Sequence, residues 1–166
     1  AHADLRDELD GDNYSHACAA RRALDEGVGN LLQIGVRAYS REEEEFIDSD
    51  ERVSTWFARD FLAPSGGEEG WKNLLEEVSA LTGPVWLTFD IDGLDGSLVP
   101  HTGTPVPGGL AHWQAVEVIE TLFASQHTEV IGADIAEIVA GNDSNLTQFT
   151  AAMIATKIVA AHIATL

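Results

Sequence analysis

Val85-Trp86-Leu87-Thr88-Phe89-Asp90-Ile91-Asp92-Gly93-Leu94-Asp95 is the stretch from which the rest of the chain can be read. An unbroken apolar or β-branched run passes directly into acids and a glycine, the mark of a strand entering a loop. Residues two apart on an extended chain project to the same side, so Asp90 and Asp92 are expected to face one way at the end of a buried strand. Two like charges a few ångströms apart repel strongly there unless a cation lies between them or one carboxyl keeps its proton. The carboxyl end of a parallel strand is also where α/β proteins place their sites.

Outward from this stretch, further short apolar runs at Leu31–Val36 and 129–135 alternate with segments of helical period. That alternation predicts an α/β fold with a parallel sheet. A helix over 111–125 begins after Pro107-Gly108-Gly109 and carries Trp113, Val116, Ile119, Leu122 and Phe123 on one stripe, with Glu117 and Glu120 off it. A final helix over 146–164 steps through Leu146, Phe149, Met153, Ile154 and Ile158. Ser15 is expected to cap a helix that closes at Gly27, and Ser40 to cap one over 41–48. The Glu42 to Glu45 run in the latter is assigned to a solvated face. A loop rich in glycine and acid over 64–70 leads into a helix over 71–81 of the same domain, so residues 1–166 are expected to form a single domain without repeats.

The opening residues repeat the paired arrangement, since His2 and Asp4 are also two apart and are expected to follow a strand whose body lies outside the chain. The chain opens without an initiator Met, and the expectation is that it does not begin where its gene begins. One imidazole with several carboxylates suits a borderline-hard divalent ion such as manganese, and Cys18 is not needed. A calcium loop at Asp90 is rejected, because the EF-hand positions for a third acid and a final Glu hold Leu94 and His101. The glycine-rich 102–110 stretch lacks the lysine and spacing of a phosphate loop and is expected to shape the turn into the next helix. Asn145-Leu146-Thr147 has the form of a glycosylation acceptor but falls at a predicted helix start in a chain not expected to be secreted.

With 9 Lys+Arg against 28 Asp+Glu the formal charge is −19, which excludes sequence-independent nucleic-acid binding through phosphate neutralisation. A composition 45% hydrophobic and 22% charged is that of a globular protein rather than a disordered one. Cys18, the only cysteine, has no partner for an internal disulfide, and a reducing, cytoplasmic setting is expected. No stretch approaches the ~20 continuous apolar residues of a membrane span, so no membrane partner is expected. Only Lys72 and Lys157 are lysines, and the acids are dispersed along the chain. Such a coat suits a protein kept soluble at very high salt, where the Debye length falls to about 3 Å.

Taken in order, His2-Ala3-Asp4, Tyr14-Ser15-His16-Ala17-Cys18, Gln33-Ile34-Gly35-Val36-Arg37, Phe89 to Asp95, Thr102-Gly103-Thr104-Pro105-Val106-Pro107-Gly108-Gly109-Leu110 and Gly132-Ala133-Asp134-Ile135-Ala136-Glu137 resemble the ureohydrolases, the family of arginase and agmatinase. The wording around Ser15 to Cys18 and Pro107 to Gly109 is closer to agmatinases than to arginases. The resemblance implies a three-layer α/β/α fold with a parallel sheet, arginase-like, whose N-terminal strands lie outside this chain. It also implies a centre of two Mn(II) ions, with His2, Asp4, Asp90 and Asp92 among the ligands. A hydroxide bridging the metals would attack the guanidinium carbon of a small guanidino substrate, most fittingly agmatine, and release urea and an amine. His16 would carry the proton to the departing amine, and Glu137 would pair with the guanidinium. A homotrimer or hexamer is implied too.

The chain departs from the family pattern in lacking the aspartate before Ala-His-Ala-Asp and the upstream G-G-D-H segment, whose side chains complete the metal set. It is therefore expected to be the C-terminal part of such a domain. Smaller departures are Gly96, where relatives usually have proline, and Ala140-Gly141-Asn142, where they often have a proline-containing loop. The alternative function is a non-catalytic fragment or pseudoenzyme that keeps the fold with an incomplete metal site.

Overall fold

A computed structural model describes residues 1–64, 67–141 and 144–166; part of the 64–70 loop and Asn142 lie outside the described residues. The elements are α1 (Ala19–Asp25), β1 (Leu31–Val36), α2 (Arg41–Ser49), β2 (Val53–Phe57), α3 (Ala58–Leu62), α4 (Gly67–Ser79), β3 (Gly83–Asp90), α5 (His112–Ala124), β4 (Thr128–Ala136) and α6 (Leu146–Ile163). Tight 3-10 turns occupy His16–Cys18 and Ile91–Gly93. Strand β1 pairs with β2 and β3 with β4, both in parallel, and the crossovers that parallel pairing requires are supplied by α2 and α5. The predicted α/β class holds, and among the described residues the strands stand as two separate pairs.

The β1–β2 pair is covered on both faces. Leu32, Ile34 and Trp56 pack into a core built on Leu74, Val78, Ile119 and Ile154, while Val36, Val53 and Phe57 pack with Leu5, Leu24 and Phe46. The β3–β4 pair differs from the expectation of a strand buried on both sides. Val85, Leu87 and Phe89 enter the core, but Trp86 and Ile131 are each 59% exposed on the other face. There Trp86 Nε1 and Thr88 Oγ1 donate to the two oxygens of Asp134 at 2.6 and 2.9 Å, and the Trp86 indole lies where a side chain at Gly132 would stand.

Several boundaries shift from the sequence expectation for local reasons. Ser15 makes no side-chain cap; its carbonyl instead accepts from Cys18 N at 2.9 Å, and a 3-10 turn precedes α1. Gly27, at φ +105, closes that segment as expected. Ser40 does cap α2, in a reciprocal capping box with Glu43. Strand β2 and the short α3 were not foreseen, because Val53-Ser54-Thr55-Trp56-Phe57 has no clean alternation; its polar groups are satisfied tertiarily, with Ser54 Oγ and Trp56 Nε1 both donating to Glu77 at 2.7 Å.

Two helix faces are also corrected. Trp113 is 70% exposed, since six residues at ~100° each carry it about 120° around α5 from the buried Ile119. In α6 the buried side is Thr147, Ala151, Ile154 and Ile158, and Leu146, Phe149 and Met153 are exposed. That helix is apolar almost all round, and by length and composition alone it would pass for a membrane-crossing one.

Candidate metal and substrate site

The opening segment runs alongside the end of β1. Ala1 O accepts from Arg37 N at 2.9 Å and Ala38 N at 3.1 Å, and His2 forms a parallel bridge with Ala38. Gln33 Nε2 donates to Ala3 O at 2.6 Å. Ala1, Ala3 and Leu5 are buried and His2 and Asp4 are half-buried, the alternation of a strand that puts the two polar side chains on one face. Asp4 then departs from it, with φ +53.

Asp90 closes β3, opposite Ala136 of β4, so Glu137 stands one residue beyond its level on the neighbouring strand. Asp92 lies past the strand, in the Ile91–Gly93 turn. The two-residue rule for a common face therefore fails for Asp90 and Asp92, because it holds only while the backbone stays extended. Asp92 is instead 1% exposed, with Oδ1 accepting from Ala1 N at 2.8 Å. Its other oxygen forms an ion pair with His2 Nδ1 at 3.0 Å.

Charge ties these groups together. Burial, then repulsion from Asp90, pushes the Asp4 carboxyl up to about 6, with Glu137 adding to the effect. Asp90 is raised by burial and by Asp92. For Asp92 burial acts upward, but the contact with the His2 imidazole acts downward and the carboxyl titrates below its ordinary value. His2 is raised by the adjoining Asp92 against the opposing effect of burial. His2, Asp4, Asp90, Asp92 and Glu137 thus share one electrostatic neighbourhood. His16 is exposed at the start of its 3-10 turn, and among the described residues no hydrogen bond or ion pair joins it to the other five.

The donor set fits a divalent cation in kind. An imidazole nitrogen faces a buried carboxylate oxygen, and two further carboxyls, Asp4 and Asp90, are destabilised as anions by burial and by neighbouring carboxylates. Among the described residues, no three His, Cys, Asp or Glu side chains converge into a group that could hold a metal ion. Glu137 is left-handed, at φ +63; with Asp4 it makes two of the three non-glycine residues of positive φ among the described residues, a conformation that costs free energy and collects at functional positions.

The Arginase family profile matches residues 1–161. The chain belongs to the arginase family. Its arginase-family relatives include the agmatinase of Pyrococcus horikoshii, 39% identical over 92% of this chain and 50% of that protein, and the N(1)-aminopropylagmatine ureohydrolase of Thermococcus kodakarensis, 39% identical over 92% and 49%. The agmatine ureohydrolase structure from Thermoplasma volcanium superposes with a TM-score of 0.82 at 34% identity, covering 98% of this chain and 53% of that one. The chain spans about half the length of the curated relatives it matches.

Three residues that hold the segments around these groups were given no role from the sequence. Glu43, assigned above to a solvated run, is 4% exposed and accepts from Leu5 N at 3.1 Å, just beyond Asp4, and from Ser40 N and Oγ. The Ser40-x-x-Glu43 spacing was the available signal, masked by the flanking acids. Asp95 accepts from Ser97 Oγ and N and from Gly108 N and Gly109 N, which hold its carboxyl down at about 2 and latch the glycine-rich loop to the Asp90 loop. That loop shapes the approach to α5, as expected, and its Gly103 also lies close to Glu137 Oε2. Arg37 is the third.

Proposed function

We propose that this chain is the C-terminal part of a single ureohydrolase domain that hydrolyses a small guanidino compound, agmatine by preference, to urea and an amine. What carries the reading is the His2 imidazole paired at 3.0 Å with the buried Asp92 carboxylate, with Asp4 and Asp90 in the same electrostatic neighbourhood, in a chain of the arginase family. His2, Asp4, Asp90 and Asp92 would hold manganese(II), two ions per complete site, with the remaining ligands supplied from outside these residues. A divalent cation there supplies Lewis-acid chemistry, lowering the pKa of water and offsetting the carboxylate charge. Glu137 binds the substrate guanidinium through a paired carboxylate contact, and its left-handed backbone turns the chain at the strand end for that purpose. His16, exposed and on a short turn, passes a proton to the leaving amine.

The names of the relatives support the substrate class: one is an agmatinase and another acts on N(1)-aminopropylagmatine. A homotrimer or hexamer in a salty cytoplasm completes the proposal. That no three ligand-type side chains converge among the described residues favours a second reading, a non-catalytic part with an incomplete centre. Manganese per chain after loading and desalting in molar KCl, together with urea release from agmatine, arginine and guanidinobutyrate, separates the two. In a protein that also carries the remaining ligands, near two manganese per chain with urea release is the expected result, and Asp92→Asn there should abolish release and weaken one metal; full activity in that variant removes Asp92 from the ligand set.

A further inference from the structure

Arg37 ends the Q-I-G-V-R run and has no part in the reading above. Its guanidinium is partly buried and makes no ion pair among the described residues. It donates instead to main-chain carbonyls: Gly35 O at 3.2 Å, Asp92 O at 2.8 Å, Leu94 O at 3.1 Å, Val106 O at 2.6 Å and Pro107 O at 3.1 Å. A guanidinium is the one side chain with enough donors in a rigid fork to serve so many acceptors at once. Its own backbone N–H donates to Ala1 O at 2.9 Å. Arg37 is therefore bonded on both sides of the candidate site, through its main chain to Ala1, next to His2, and through its side chain to the Asp92 turn. It also spans the gap between β1 and the end of β3, which no strand pairing closes among the described residues.

The surroundings are shaped to that guanidinium. A Cβ at Gly109 would stand 2.8 Å from Arg37 Nη2 and 2.6 Å from the Leu94 carbonyl. Gly35, which precedes Arg37 by two residues, takes φ +85 and brings the end of β1 close to Gly93. Asp95 holds the Gly108 and Gly109 amides at 2.6 and 3.3 Å, so the loop that Arg37 grips by its carbonyls is gripped by its amides as well.

We propose that Arg37 is a positioning residue: it sets the Asp92 turn against the His2–Asp4 segment and thereby fixes the spacing of the cation ligands. The inference rests on the metal reading above. Lysine keeps the charge but loses the fork, so Arg37→Lys separates geometry from electrostatics. Arg52→Lys is the control, because Arg52 also donates to a backbone carbonyl, Leu24 O at 3.0 Å, but at the opposite end of β1, where its own carbonyl accepts from Leu31 N at 2.8 Å.

Two measurements on the full chain in molar KCl decide the matter: Mn(II) affinity by titration calorimetry, and amide hydrogen exchange without metal. Arg37→Lys should bind Mn(II) at least tenfold more weakly and exchange at least tenfold faster over 91–95 and 105–110 while α2 and α6 stay protected. Arg52→Lys should do neither. Unchanged exchange over those segments in Arg37→Lys overturns the clamp, whatever the wild type binds. Unchanged affinity in a variant whose turn has loosened overturns its role in ligand spacing. No Mn(II) binding by the wild-type chain, with the exchange change present, overturns the metal reading and the ligand-spacing role, and leaves Arg37 as a structural clamp only. If Arg37→Lys does not fold, Gly109→Ala displaces the same guanidinium from the opposite side and is read by the same two measurements.

Discussion

Asp4 shows how one residue couples fold and site. Its carboxyl is raised to about 6 by burial and by Asp90, so in the metal-free protein the folded state holds a proton that the unfolded chain has already released. Between about pH 4 and pH 6 stability should therefore fall as pH rises. On the proposed metal reading, manganese should reverse the sign, since it would bind the ionised carboxylate and release that proton. The stabilisation given by a fixed manganese concentration, read as a shift in Tm, should grow across the same interval; a shift that is flat with pH removes Asp4 from the cation's surroundings. Glu137 makes a second residue-scale prediction. Its left-handed backbone costs about 1–2 kcal/mol in a residue with a Cβ, while glycine costs about 0.5–1 kcal/mol in chain entropy. Glu137→Gly should leave stability within about 1 kcal/mol and abolish urea release. A larger loss in chemical denaturation means that the side chain holds the fold rather than the substrate.

At the scale of elements, α6 separates burial from apparent hydrophobicity. Ile154 is fully buried against the core, whereas Phe149 is 68% exposed on the same helix. Ile154→Ala should cost about 2–5 kcal/mol through transfer and cavity terms. Phe149→Ala should stay within about 0.5 kcal/mol in the isolated chain. Urea denaturation of both variants checks this, and equal losses would mean that the exposed side of α6 is covered in solution. Helix α2 carries the parallel lesson for acids: its exposed Glu42 and Glu44 serve the helix N-terminus, while the neighbouring Glu43 turns inward to hold the Leu5 amide.

The whole molecule is governed by its charge of −19, with few cations to offset it. Several of its ion pairs are local, such as Arg41 with Glu45 and Lys72 with Glu76 one helical turn apart, and exposed, so they contribute little to offset the general repulsion. Raising ionic strength screens that repulsion over a Debye length that shrinks from about 10 Å at 0.1 M to about 3 Å at 1 M. The Tm should therefore climb between dilute buffer and molar KCl. A Tm that does not rise removes salt adaptation from the account. An apolar groove of about 500 Å³ between β4 and α6, lined by Ala133, Ile135, Ala151 and Ile158, adds a surface that high salt would favour covering.

From the sequence by itself one could read the parallel α/β class, strand β1 to the residue, the other predicted strands to within two residues, and the acids and imidazole at their ends. Each of these follows from local periodicity and turn chemistry. Ser40 was legible as a cap because its partner lies three residues away. What the sequence could not decide was which side of the mostly apolar α6 faces inward, that one glutamate of four is buried, or that Asp92 leaves the strand and meets His2. Those outcomes depend on partners distant along the chain: Ile154 on the core, Glu43 on Leu5, Asp92 on the opening residues. Arg37 is the clearest case, since every backbone carbonyl offers the same acceptor and no pattern of letters tells which of them will converge on one guanidinium. Only tertiary packing brings those carbonyls within reach of its fork.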